Sequence, residues 1–324
     1  MIDRRTLLAA LPALAAAPGL AQAQAAWPPG PIRGICPFAP GSATDIVARL
    51  FADAMRPTLG QPIVIENRAG AGGMLGAEVV ARAAPDGMTL LFGTNSTNAA
   101  ANALFRRVPF DMERDFTPVS TLASVALIVA VKADSPYRTL TELLAAARAR
   151  PEAITYAQAS SSQRVAAEML ASMAGVKMLM VPYRSSPLAV QDVIAGRVDV
   201  FVADQAVILP QVQSGALRAL AVTTKERSAQ LPNVPTVAEA GNLPAYELFA
   251  WFVLAAPAGT PAPIIARLNA AVRAAMDSPE LRERLGTGLG MAVRPSTPEE
   301  AVAFVAAETV KWSNAIRAAG IEPE

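Results

Sequence analysis

The chain has 324 residues, with 28 lysines and arginines against 27 aspartates and glutamates, a single cysteine and no histidine. This near-neutral balance gives no basic field for nucleic acid or an anionic membrane surface, so no nucleic-acid partner is expected. The lack of histidine removes every Ser-His-Asp arrangement and the commonest metal ligand, and Cys36 alone builds neither an internal disulfide nor a thiolate metal site, so no cofactor, metal or enzymatic activity is expected.

At the start, Arg4 and Arg5 precede an apolar run from Leu7 to Leu20, and small residues follow with an A-x-A pattern. Residues 1–25 therefore read as a signal peptide, which places the mature protein in the periplasm. The run is too short to span a bilayer. Arg4-Arg5-Thr6-Leu7-Leu8 also suits twin-arginine export; ordinary signals open on two arginines as well, and both routes stay open. Removing residues 1–25 leaves 26 basic and 26 acidic side chains. The remaining length, about 300 residues, exceeds what one core usually supports and favours two lobes.

Ile32 to Phe38 reads as a buried strand with Cys36 as a core residue, followed by the turn Ala39-Pro40-Gly41-Ser42. Thr44 or Asp45 is expected to cap a helix from about Ile46 to Met55. Ile63-Val64-Ile65 leads into a turn at Gly70, Gly72 and Gly73, then a helix from Met74 to Ala83 and a strand from Met88 to Phe92. Backbone N–H groups at such a helix start suit an anion, either a nucleotide phosphate or a small carboxylate. Gly93 to Asn98 reads as a further turn before a helix from Ala99 to Leu104. Three βα units in a row imply a parallel sheet that gathers ligands at its carboxyl ends, here the turns at 39–45, 69–73 and 94–98.

Val119 to Val131 reads as a strand leaving the first lobe. A second βα series follows: a Thr139-capped helix from Leu140 to Ala149, a strand from Ile154 to Ala157, and a helix starting at Ser160-Ser161-Ser162 and ended by Gly175. Next come a strand from Met178 to Val181, a helix from Leu188 to Ala195, and strands from Val198 to Ala203 and from Leu217 to Thr223. Phe249 to Ala256 reads as a returning strand, antiparallel to the outgoing one. Helices around Ile264–Ala275 and Pro298–Ala318 then pack on the first lobe. The expected division is 26–128 with 249–324 as lobe one and 129–248 as lobe two, joined by two crossing strands; no repeat of fixed period is visible.

Seven blocks, in this order and spacing, carry a family resemblance: Phe38–Arg49, Glu66–Gly93, Val181–Arg184, Ala195–Asp199, Gly215–Thr223, Val234–Gly241, and Trp251 with Ala256–Pro261. The mature chain resembles the Bug family, extracytoplasmic solute-binding receptors of tripartite tricarboxylate transporters. The resemblance implies an α/β, type II periplasmic-binding-protein fold of the Venus-flytrap kind, with parallel-sheet lobes closing on a small carboxylate. It also implies membrane permease subunits as partners and a monomeric receptor. In the family, the ligand lies between two loops that match Pro40 to Asp45 and roughly Ala157 to Ser162 here.

On that basis Pro40, Gly41, Ser42, Thr44 and Asp45 are expected to hold one end of the ligand. Ser160, Ser161 and Ser162 face them from the other lobe, with Thr94 or Ser96 closing a side. Tyr183 is either a wall of the pocket or half-buried packing; Asp204 either meets an amino group of the ligand or is a solvated turn or helix cap. Relatives usually carry a second glycine where Ser42 stands, a longer glycine-containing loop after the tyrosine matching Tyr156, histidine at Arg164 and glycine at Ser185. Serine hydroxyls are therefore expected to replace some backbone contacts. The run from Gly70 to Gly76 superficially resembles a dinucleotide fingerprint, but the acid expected some 20 residues on falls at Asp86, inside a turn. A ligand sensor signalling to a membrane kinase would use the same pocket and is not separable from a transport receptor by sequence.

Overall fold

The computed structural model describes residues 27–324, so the segment read as a signal peptide lies outside the described residues. The first half runs β1 (Ile32–Cys36), α1 (Ala43–Leu59), β2 (Ile63–Asn67), α2 (Met74–Ala81), β3 (Thr89–Thr94) and α3 (Ala101–Leu104). The long strand β4 (Phe116–Lys132) leads to α4 (Leu140–Ala149), β5 (Thr155–Gln158), α5 (Ser161–Ala174), β6 (Leu179–Pro182), α6 (Ser186–Ile194) and β7 (Val200–Asp204). There follow α7 (Gln205–Gln213), β8 (Leu217–Val222), α8 (Val237–Gly241), β9 (Phe249–Pro257), α9 (Ala262–Ala275), α10 (Pro279–Glu283), β10 (Met291–Val293) and α11 (Pro298–Ala318).

Ten strands form one sheet with the path β2-β1-β3-β9-β4-β7-β5-β6, and β8 and β10 both pair with β4. Three strands at each end are parallel, β2-β1-β3 and β6-β5-β7, and each trio has its first strand in the middle. Between the trios, β4 and β9 pair antiparallel, so each half is mixed rather than purely parallel. β4 serves both halves: Ala126 is opposite Phe249 of β9, and the next residue, Leu127, is opposite Asp204 of β7. The outgoing strand therefore crosses between the halves, whereas the returning strand β9 begins at the changeover. A bond from the Leu248 N–H to the Thr223 carbonyl (2.9 Å) ties that beginning to β8.

The 2-1-3 order makes each half a doubly wound unit with its switch point beside the middle strand. The loops leaving β1 and β5 thus occupy equivalent places, and α1 and α5 both begin there. α9 packs against α1, while α11 packs against β4, α3 and the 96–100 segment and also touches α5.

Several boundaries differ from expectation. The cap of α1 is Ser42, whose Oγ accepts the Asp45 N–H at 3.2 Å, rather than Thr44 or Asp45. The helix also continues beyond Met55, through Pro57, to a left-handed Gly60. The expected turn at 93–98 is already helical: β3 reaches Thr94, and a π-helical turn over Ser96–Ala100 leads straight into α3. Side chains close that turn, with the Thr94 N–H donating to Thr97 Oγ1 and the Ser96 N–H to Thr94 Oγ1, each at 3.0 Å. The helix α7 begins directly after β7, and its one local signal is Asp204 at the N-cap position.

Candidate functional site

Each candidate loop is built locally before it meets its counterpart. In the loop after β1, the Gly41 N–H donates to Asp45 Oδ2 at 3.0 Å, while Asp45 Oδ1 accepts from Arg49 Nε (3.0 Å) and Asn67 Nδ2 (2.8 Å). Burial alone would raise the Asp45 carboxyl, but these bonds outweigh it and hold it below the usual carboxylate range. The Asp45 acceptors are thus spent on shaping the loop. Ser42 and Thr44 are buried on the first turn of α1, while Pro40 and Gly41 are exposed.

After β5, Ser160 caps α5 and its Oγ lies 3.0 Å from Ser162 Oγ; Ser160, Ser161 and Ser162 are all buried rather than forming a surface turn. Gln163, which the sequence reading passed over, knits this half together. Its Oε1 accepts the Ala159 N–H (2.8 Å), and its Nε2 donates to Ser186 Oγ (2.9 Å) and, at the 3.5 Å limit, to Asp204 Oδ2. The one local signal for Gln163 was its place three residues after a serine cap, where a glutamine commonly reaches back to the loop.

The two sets of loops meet across the halves. The Ser162 N–H donates to Ser96 Oγ at 3.4 Å. A Cβ added at Gly41 would lie 3.4 Å from Pro187 Cγ, and one at Gly72 3.5 Å from Ser161 Oγ. Gly72 and Gly73 both have positive φ, and a side chain at Gly73 would strike Thr97 at 2.8 Å, so the glycine turn lets the backbone approach its neighbours closely. Arg164, one turn into α5, pairs with Glu324 at 3.1 Å, while its buried Nε has no hydrogen-bond partner among the described residues.

Two candidates stand differently from the rest. Tyr183 packs half-buried on the apolar cluster of the second half, and its hydroxyl donates to Asp192 at 2.9 Å. Burial first, then that bond, pushes its phenol up to about 12, and the geometry favours the packing reading. Asp204 is not a solvated turn, and it stands at the N-cap position of α7 without capping the helix through its side chain. It is only 7% exposed, and burial pushes its carboxyl up to about 6. The solvated reading failed because α5 and α6 cover the end of β7, which no local pattern reveals.

Asn95 was also missed. It is fully buried, its Oδ1 accepts the Trp251 N–H at 3.3 Å, and its Nδ2 has no partner among the described residues. A cavity of about 990 Å³ lies elsewhere, lined by Ala123–Ala126 of β4, Gln205, the 224–230 segment and Phe304, and includes none of the candidate residues.

Residues 47–321 match the family model described as "Tripartite tricarboxylate transporter family receptor". The chain belongs to that family. This tripartite tricarboxylate transporter receptor is 40% identical to a UPF0065 protein in the tcbD-tcbE intergenic region of Pseudomonas sp. (strain P51), over 97% of this chain and 94% of that one. Among solved structures, Rpa4515 of R. palustris with adipate is 34% identical with a TM-score of 0.88, covering 92% of this receptor and 100% of the other chain. MatC of Rhodopseudomonas palustris with bound malate is 37% identical with a TM-score of 0.85, covering 90% and 100%. The family and these neighbours are solute-binding receptors rather than enzymes, and the fold is the α/β periplasmic-binding-protein fold that the sequence blocks resemble.

Proposed function

We propose that this receptor captures a small carboxylate between lobe one (residues 26–128 and 249–324) and lobe two (129–248), and delivers it to the permease subunits of a tripartite tricarboxylate-type transporter. The observation that carries this reading is a set of buried hydroxyls at equivalent helix starts, Ser42 and Thr44 at α1 and Ser160, Ser161 and Ser162 at α5, where the Ser162 N–H donates across the halves to Ser96 Oγ and Gly41 lies beside Pro187. A carboxylate at such a helix start gains up to about 2 kcal/mol from the aligned peptide dipoles when partly buried. Hydroxyl and N–H donors to a charged oxygen strengthen the grip. The adipate and malate held by two solved relatives support the ligand class.

The receptor works as an exported, periplasmic monomer. The basic start and apolar run of residues 1–25 support export, and no helix among the described residues is long and apolar enough to cross a membrane. A ligand touching both lobes favours the closed form through its differential affinity for it. A thermal-shift screen over small mono-, di- and tricarboxylates tests the reading. A true ligand at about 100 times its Kd stabilises the fold by about 2.7 kcal/mol. If the same screen also holds uncharged analogues and only those raise the melting temperature, the reading fails. Loss of uptake of the hit on deleting the gene tests the transporter partnership.

A further inference from the structure

We propose that Asp204 selects, among small carboxylates, those that also carry a hydroxyl or ammonium group. The inference rests on the cleft reading above and names the ligand class more closely. Asp204 ends β7, beside β5, whose following loop carries Ser160. Its side chain is buried, yet among the described residues its carboxylate has a single side-chain donor, Gln163 Nε2 at 3.5 Å, and that amide is held more closely by Ser186 Oγ at 2.9 Å.

Among the described residues no cation forms an ion pair with it. The charged residues of the surrounding elements pair elsewhere: Lys132 with Asp134, Arg164 with Glu324 while its Nε keeps no partner among the described residues, Glu168 with the Tyr156 hydroxyl, Asp192 with Arg197, Asp199 with Thr155, and Arg218 with the Ser135 and Tyr137 carbonyls. A buried carboxylate held only by its own backbone N–H and one marginal side-chain bond is unfavourable until a further donor arrives. An unsubstituted acid brings only further negative charge to this wall. A hydroxy or amino acid brings the missing donor and makes a charge-assisted bond.

Isothermal calorimetry at pH 7.5 with length-matched pairs tests this: succinate against 2-hydroxysuccinate and 2-aminosuccinate, and adipate against 2-aminoadipate. In the wild type the substituted member should bind at least about tenfold more tightly, and Asp204→Asn should shrink that preference to about threefold or less. If the variant fails to fold, proton uptake by the wild type decides, read by repeating the titrations in buffers of different ionisation heat. The unsubstituted acid should bind with uptake of a proton, and the substituted acid without. Equal affinities within each pair, a preference undiminished in Asp204→Asn, or equal proton uptake overturns the inference. If no member of any pair binds while another carboxylate does, the site does not take this class and the inference fails alone. If no carboxylate binds at all, the cleft reading fails and takes the inference with it.

Discussion

The Ser162 amide, on the second half of the sheet, donates to Ser96 Oγ, on the first, at 3.4 Å. At that length the bond is weak, so the meeting of the halves depends little on it and leaves room for a ligand's own oxygens to compete for the same donors. If the two helix starts hold a carboxylate, Thr44→Ala and Ser161→Ala should each weaken the best hit of a carboxylate screen about tenfold, the worth of one hydrogen bond to a charged group. Titration calorimetry checks this. Affinity untouched in both variants would show that the two loops have been wrongly assigned.

Ser42 separates a structural role from a binding one. As the cap of α1 it accepts the Asp45 N–H, and Ser42→Ala should lower stability by about 1 kcal/mol. Ser42→Gly should be milder by a few tenths of a kcal/mol or more, since glycine tolerates the cap backbone and leaves the first turn open to water. Urea denaturation of the ligand-free protein reads the difference. Unchanged stability in both variants would mean that the cap is replaced by solvent.

A different polar knot holds the base of the first half. Glu308 of α11, itself buried, accepts from Trp251 Nε1 at 2.8 Å and Trp312 Nε1 at 3.1 Å. Glu308→Ala strands two buried indole N–H groups, and each costs about 1–3 kcal/mol when left unpaired. Glu308→Gln keeps an acceptor and should lose less than half as much. Guanidinium melts followed by tryptophan fluorescence test the order Ala worse than Gln. The reverse order would mean that water takes the carboxylate's place.

What the sequence revealed, and what it hid, follows the range of the forces involved. α4 and α11 have the expected bounds because both carry a complete local signal, a threonine cap with a glutamate three residues into the helix. The serine cap of α5 was legible for a similar reason, whereas at 40–45 cap chemistry pointed to Thr44 or Asp45 and the structure uses Ser42. The 93–98 segment was not. Its helical form is fixed by Thr97 Oγ1 accepting the Thr94 N–H, by Thr94 Oγ1 accepting the Ser96 N–H, and by packing on α11, where Thr309 Oγ1 donates to the Asn98 carbonyl at 3.4 Å. Gln163 reaches Ser186 and Asp204, 23 and 41 positions away, so its role exists only once three loops share one end of a sheet. The likeness of the two 2-1-3 trios has no fixed sequence period, since topology constrains the order of strands and not the length of the connections.

Asp204 should also leave a signature in stability against pH. Burial holds its carboxyl at about 6 in the folded protein, against about 3.9 in an unfolded chain. Between those values the native state keeps a proton that the unfolded chain has released, so stability falls as pH rises through the window and the loss is complete above it. The full difference amounts to about 3 kcal/mol. Asparagine has the same shape and no charge to bury. Asp204→Asn should therefore be more stable than the wild type by up to about 3 kcal/mol at pH 7.5, with the advantage halved near pH 5 and gone below about pH 4. Urea denaturation of both proteins across this range measures it. A saturating hydroxy or amino acid should narrow the gap at pH 7.5 by giving the wild-type carboxylate its donor. A gap that does not vary with pH would mean that Asp204 is already paired in the free protein, and its burial would then have no need of a ligand.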